Sequence, residues 1–285
     1  MKVFLGTAQF GLDYGVTNTK GQISEKEVFE VLDLSLEKGI KCLDTAYAYG
    51  ESEKVLGRYG VSEFEISTKL PALKNYENLT KQKIKNLFYE SLGRLNVDKI
   101  QNLFIHDSSD LNQHNRDSVI EALSEIKDEG LVNNIGVSIY EPDSIYSLLE
   151  IGIIDIIQTP LNVLDNRILN DQYISIISSN DIKLQARSIY LQGLLLQDPE
   201  SIAKPFLKHK DVFLDWHNYV EEKKISKLEG CINYIRSIQE LHSIVVGITS
   251  ISEFKELIAV LSSKIYQVNF YPEIKDDLID PRKWI

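Results

Sequence analysis

At 285 residues, 43% of them hydrophobic, the chain is long enough to bury a large core and too apolar for a disordered segment. Its 42 acidic against 31 basic side chains leave a formal charge of -11, which excludes a broad electrostatic footprint on nucleic acid or an anionic membrane surface. Two cysteines, Cys42 and Cys231, without a C-x-x-C pair or a Cys/His ligand spacing, exclude a disulfide framework and a structural metal site.

Short apolar runs rich in β-branched residues alternate with longer segments of helical period. KVFLG (2–6) opens as a strand. SEKEVFEVLDLSLEKG (24–39) follows as an amphipathic helix, with Val28, Val31, Leu32, Leu34 and Leu36 crowding one side. Ser24 and Glu27 form an S-x-x-E capping box at its start, and Gly39 stops it. KCLD (41–44) and FEISTK (64–69) are the next two strands. TKQKIKNLFYESLGRLN (80–96) is helical, with Ile84, Leu87, Phe88, Ser91, Leu92 and Leu95 on one face. IQNLFIH (100–106) precedes the helix RDSVIEALSEIKDEG (116–130). Strands NNIGVS (133–138), IDIIQT (154–159) and IKLQARS (182–188) come next. The interval 189–241 is the longest between strands and predicts a long loop over one face, then a helix near 216–238 whose EEKK run (221–224) faces solvent. HSIVVGI (242–248) is the eighth strand.

Eight strand-then-helix units, one per roughly 36 residues, are the count of a (β/α)₈ TIM barrel. The expectation is one domain over 1–285, with residues 263–285 forming a C-terminal extension over the barrel. A doubly wound sheet is the alternative, but no G-x-G-x-x-G follows any strand and no G-x-x-x-x-G-K-[ST] is present. MKVFLGTAQFG lacks the apolar core of a signal peptide, and no apolar run approaches the roughly 20 residues of a membrane span. These features predict a cytoplasmic protein, with both thiols buried in a reducing compartment.

Barrel chemistry belongs at the C-terminal ends of the strands, and here those ends are polar. Asp44 ends the second run, Lys69 the third, His106 the fourth, Ser138 the fifth, Gln158 the sixth and Ser188 the seventh. Asp44, Lys69 and His106 stand on three consecutive strands, with Tyr49 in the loop after Asp44. Singly, each has a structural explanation: a helix cap, a solvated strand-end charge or a satisfied histidine. Together they suit proton transfer to an oxygen. A phenol with an ordinary pKa near 10 is a poor acid unless a cation stabilises its phenolate, and Lys69 supplies that cation while Asp44 orients it. His106 donates a hydrogen bond to a carbonyl oxygen. His114, His209, His217 and His242 show no ligand spacing and read as surface or structural residues.

The runs LDTAYAYGESEKVLG, STKL, ESLGRLNVDKIQNLFIHD and GLVNNIGVS, in that order over nearly the whole chain, resemble the aldo-keto reductase family. The resemblance implies a barrel binding NADPH or NADH across its C-terminal face, and a tetrad of Asp44, Tyr49, Lys69 and His106 with Tyr49 as general acid. It also implies cofactor contacts from Gly6 and Thr7, from Ser138 and Gln158 to the nicotinamide carboxamide, and from Ser188 through Tyr190 to Gly193 over the pyrophosphate. Ile139 stands where many relatives have asparagine, and Arg187 where many place an aromatic ring under the nicotinamide; a planar guanidinium can stack there too. Gly247, Thr249, Ser250, Glu253 and Glu256 fall in the segment that receives the adenosine ribose. Glu253 replaces a phosphate-binding arginine, which predicts relaxed or NADH-leaning cofactor choice.

Phe10, Tyr47, Gln192 and Trp284 are predicted walls of the substrate pocket. The short loop DSSDLNQHN after His106 predicts an open pocket for a polar or bulky substrate. The ends GTAQFGLDYGVTN and LIDPRKWI resemble members associated with sugar metabolism, which favours a sugar-derived carbonyl. Two other functions fit the same residues: a Schiff-base barrel with Lys69 as nucleophile, and a cofactor-holding regulatory subunit with little turnover.

Overall fold

The computed structural model describes residues 1–112, 116–273 and 275–284. Eight parallel strands close into one barrel in sequence order: β1 Lys2–Gly6, β2 Cys42–Asp44, β3 Glu65–Lys69, β4 Ile100–Ile105, β5 Val132–Ser138, β6 Ile156–Pro160, β7 Lys183–Arg187 and β8 Leu241–Gly247. This is a single-domain (β/α)₈ TIM barrel. The strands are apolar runs because each is covered on its outer face by helices such as Glu25–Glu37, Lys81–Leu95 and Arg116–Asp128. The predicted face of Lys81–Leu95 is the buried one, from Ile84 to Leu95.

Register brings the polar strand ends level. Gly6 pairs with both Asp44 and Gly247, Ser138 with Gln158, and Pro160 with Arg187. Inside the barrel a polar chain runs from β3 to β7. Asn102 Nδ2 donates to Ser67 Oγ at 2.8 Å, Asn134 Nδ2 to Asn102 Oδ1 at 2.7 Å, and Lys183 Nζ to Asn134 Oδ1 at 2.8 Å. Each buried amide thus has a partner within the barrel, as burial requires.

Three local expectations change. Ser24 Oγ accepts the Glu27 N–H at 3.3 Å, but the Glu27 carboxylate does not return to close a capping box. It accepts the Ile251 N–H at 2.8 Å, because the adjoining helix Ile251–Leu261 offers an otherwise orphan donor at its own N-terminus. The helix expected near 216–238 is two helices, Lys210–Lys223 and Lys227–Arg236, broken at Lys224 (φ 55°) and restarted by a complete Ser226–Glu229 capping box. The interval 189–241 is consequently not a long loop: short 3₁₀ turns and these two helices fill it. Beyond Leu261, Phe270 packs on Trp216 and Tyr219, and the short helix Asp276–Ile279 leads to Arg282, which reaches Glu141 after β5 at 2.8 Å. His114 lies outside the described residues, and no helix among them is long and apolar enough to cross a membrane.

Candidate active site

The tetrad is assembled by strand ends and one anchored loop. Asp44 (2% exposed) ends β2 and Lys69 (2% exposed) ends β3; Lys69 Nζ donates to Asp44 Oδ1 at 2.5 Å and to the Thr45 carbonyl at 3.1 Å. The other Asp44 oxygen accepts from Gln158 Nε2 at 2.9 Å, and Gln158 Nε2 also donates to Gln185 Oε1 at 2.7 Å. The buried carboxylate is therefore hydrogen-bonded on both oxygens, without which its desolvation would be prohibitive.

Tyr49 stands in the loop after β2, and two glycines explain its placement. A Cβ on Gly11 would lie 2.0 Å from the Tyr49 carbonyl oxygen and 2.2 Å from Ser52 N, so the loop can rest on the short helix Ala8–Gly11 only if residue 11 is glycine. Gly50, at φ +56°, completes the turn. Ser52 Oγ donates to the Thr7 carbonyl at 2.9 Å, and Thr7 Oγ1 donates to the Asp44 carbonyl at 3.1 Å, tying the same loop to β1. Tyr49 then has Lys69 Nζ 5.2 Å from its ring centroid and His106 edge-on at 6.2 Å.

Burial dominates the electrostatics. It lowers the Lys69 ammonium below its ordinary pKa, with the charge and hydrogen bond of Asp44 opposing. His106 is held down to about 4 by burial first and then by Lys69 and Arg187, so it is a neutral imidazole with one N–H to donate. Tyr49 is pushed up by burial and by Asp44, and Arg187 is the cation that opposes the rise. With Asp44 at 2.5 Å, Lys69 faces the phenol as part of an ion pair rather than as a lone ammonium.

These groups line a cavity of about 940 Å³. Its walls include the whole tetrad and every predicted cofactor residue except Ser250, which instead caps the helix Ile251–Leu261 by accepting the Glu253 N–H at 3.3 Å. Among the predicted substrate walls only Gln192 lines it. Phe10 is fully buried in the core, and Trp284 packs edge-on against Phe206 at 4.9 Å. Tyr47 turns toward the helix Lys81–Leu95, where its hydroxyl donates to Glu90 at 3.1 Å and the Arg94 guanidinium covers its ring at 4.2 Å. An aromatic residue in a loop reads the same whether it lines a pocket or closes a core, so sequence alone did not separate them.

Several wall residues had no sequence signal. Tyr14, from the Gly- and Asn-rich segment after the first helix, has its phenol pushed up to about 12 by burial, Tyr49 and Tyr140 adding. Tyr140 is held between two guanidinium groups, those of Arg187 and Arg282, each 4.2 Å from its centroid. His217, expected to be surface or structural, lines the cavity. Five buried polar atoms on the walls lack a protein partner: Gln9 Oε1, Gln158 Oε1, the Tyr190 hydroxyl, Gln197 Oε1 and His217 Nδ1. Unpaired buried polar groups are costly, and several on the walls of one cavity fit a polar ligand that would satisfy them.

A carboxylate–ammonium pair, a phenol and a neutral imidazole thus converge at the C-terminal mouth of a closed parallel barrel. A family model described as the Aldo/keto reductase family matches residues 2–274, and the chain belongs to that family. The membership makes it an NAD(P)-dependent oxidoreductase. Among its relatives, L-galactose dehydrogenase of Arabidopsis thaliana is 27% identical over 261 residues, covering 85% of this chain and 80% of that protein. D-threo-aldose 1-dehydrogenase of a Pseudomonas species is 26% identical over 230 residues, covering 67% of this chain and 69% of that one. The solved structure of aldo-keto reductase AKR11C1 from Bacillus halodurans, in its holo form, has the same fold: TM-score 0.77 at 19% identity, over 98% of this chain and 95% of that one.

Proposed function

We propose that the protein reduces a polar, sugar-type carbonyl with a nicotinamide dinucleotide, Tyr49 serving as general acid, and that it runs the reverse oxidation when the cofactor ratio demands. The observation that carries this reading is the convergence of Tyr49, His106 and the Lys69–Asp44 pair on one cavity of about 940 Å³. A bound reduced nicotinamide would supply the hydride for the carbonyl carbon. Ser138, Gln158 and Arg187 are the residues to hold the carboxamide end, the loop from Ser188 to Gly193 the pyrophosphate, and Thr249, Glu253 and Glu256 the adenosine end.

His106 donates its N–H to the carbonyl oxygen and orients it, remaining neutral throughout the physiological range. Tyr49 donates its proton to the same oxygen as negative charge develops there. A buried phenol of raised pKa is a weak acid at rest, but the developing alkoxide is a far stronger base than water, so the transfer is downhill. Lys69 and Asp44 hold a fixed dipole beside the ring.

The sugar-type assignment draws on two relatives whose names are those of sugar dehydrogenases. Support for NADH use comes from the Glu253 carboxylate at the adenosine end. Two buried, unpaired thiols, Cys42 and Cys231, go with a cytoplasmic location. The Schiff-base alternative is disfavoured because the Lys69 amine is tied to Asp44 and Thr45. A regulatory subunit is distinguished by turnover. The test is a fluorescence titration with NADH and NADPH, followed by cofactor oxidation on adding aldoses, keto-sugars and small aldehydes. Micromolar binding with turnover of a sugar-type carbonyl is expected. Turnover confined to small aromatic aldehydes removes the substrate assignment, and no binding of either nucleotide removes the whole reading.

A further inference from the structure

Of the seven arginines in the chain, five have a carboxylate within 4 Å; among the described residues Arg187 and Arg236 have none. Arg236 lies far from the tetrad, donating to the Val260 and Ser263 carbonyls. Arg187 lines the cavity at its catalytic end, and all its acceptors are neutral: Ser138 Oγ at 3.2 Å, Ser188 Oγ at 3.2 Å and the Ile139 carbonyl at 3.1 Å. Its guanidinium covers Tyr140, whose other partner, Arg282, is neutralised by Asp280 at 2.7 Å and Glu141 at 2.8 Å.

The charges at this end can therefore be counted. Lys69 and Asp44 cancel, Tyr49 and His106 are neutral, and Arg187 contributes one positive charge with no counter-ion among the described residues. A guanidinium cannot lose that charge by deprotonating. Besides Asp44, the acidic residues on the cavity walls are Asp198 in the segment after β7, Glu221 on the helix Lys210–Lys223, and Glu253 and Glu256 on the helix Ile251–Leu261, and none of them bonds to Arg187.

We propose that Arg187 makes this site distinguish the two oxidation states of the nicotinamide ring, holding the neutral reduced ring more tightly than the cationic oxidised one. The inference rests on the oxidoreductase reading above. Hydride can pass only to a carbon whose oxygen meets Tyr49 and His106, so the ring must share the end of the cavity that Arg187 occupies. Loss of a hydride, two electrons with one proton, takes the ring from zero charge to plus one. In a partly desolvated site, two cations with no anion between them repel by more than they would in water. The same lone charge favours the oxyanion that forms as hydride reaches the carbonyl.

The test is the ratio of dissociation constants, oxidised over reduced, for NAD⁺ against NADH and NADP⁺ against NADPH, measured calorimetrically without substrate. For the unaltered protein the ratio should be about tenfold, the size expected of one screened unit charge. Arg187→Met, which keeps an unbranched apolar side chain, should bring it close to unity, chiefly by tightening the oxidised form. Arg187→Lys restores the charge without the planar fork and should recover most of the ratio. A ratio at or below one in the unaltered protein, or one that Arg187→Met leaves unchanged, overturns the inference while the oxidoreductase reading stands. Absence of binding by all four dinucleotides overturns both.

Discussion

Glu253 folds back onto Thr249, its Oε2 accepting the Thr249 N–H at 2.7 Å and its Oε1 the Thr249 hydroxyl at 2.5 Å. An anion thus already occupies the N-terminal end of the helix Ile251–Leu261, with Lys20 3.6 Å away. A second anion brought to that place, such as a ribose 2′-phosphate, meets repulsion, whereas a free ribose meets an acceptor. Glu253→Gln should therefore tighten NADPH by about tenfold and leave NADH within about threefold. Equal changes for the two nucleotides in a binding titration would show that the carboxylate does not choose between them.

Removing the Tyr49 hydroxyl isolates proton transfer from binding. Tyr49→Phe keeps the ring that faces Lys69 and His106 and should lower turnover by the order of 10² to 10⁴ expected for loss of a general acid. The dissociation constant for reduced cofactor should move by less than about threefold. Retention of more than a tenth of the turnover would assign the proton to another group, and Tyr14 would be the first to examine.

The buried imidazole links acid stability to the site. His106 ionises at about 4 in the folded chain against 6.5 ordinarily, so between these values the unfolded chain binds a proton that the native one refuses. Stability from this group is complete above pH 6.5 and is lost as the pH falls toward 4, an amount on the order of 3 kcal/mol. Denaturant melts across that window should be steeper in pH for the unaltered protein than for His106→Asn. Identical slopes would mean that His106 is not held neutral by folding.

Gly11 should be as intolerant of change as a tetrad residue, although it carries no chemistry. Gly11→Ala drives a methyl against the Tyr49 carbonyl and Ser52 N, both backbone, so the loop must move. Melting temperature should fall, and turnover should fall by about tenfold or more because Tyr49 moves with the loop. A variant of unchanged turnover would show that the loop can give way without displacing the phenol.

How much of this was legible in advance depended on the kind of signal. The strands and the tetrad stood out because a parallel barrel buries both faces of each strand, making Asp44, Lys69 and His106 polar interruptions at the ends of apolar runs. Tyr14 and Tyr140 did not, since both lie in irregular segments where no periodicity reports which way a side chain points. The break at Lys224 was equally hidden, because a non-glycine residue at positive φ leaves no compositional mark. Arg187 was visible as a residue, but its lack of a counter-ion is a property of three-dimensional neighbours. Glu27 satisfied a local capping pattern and bonded 224 residues away instead, a competition that only the packed helices decide.

The loop after β7 holds Ser188, Leu191 and Gln192 at positive φ, and from the opposite wall Thr17 Oγ1 donates to the Gln192 carbonyl at 2.9 Å while Val16 N donates to its Oε1 at 3.3 Å. These two bonds join two segments that both line the cavity, and a ligand held beneath them would leave only once both break. Chemistry and departure then become separate events with separate clocks. Mixing enzyme, reduced cofactor and substrate in a rapid-flow instrument should give a fast first oxidation followed by a slower steady rate, and Thr17→Val should raise the second without altering the first.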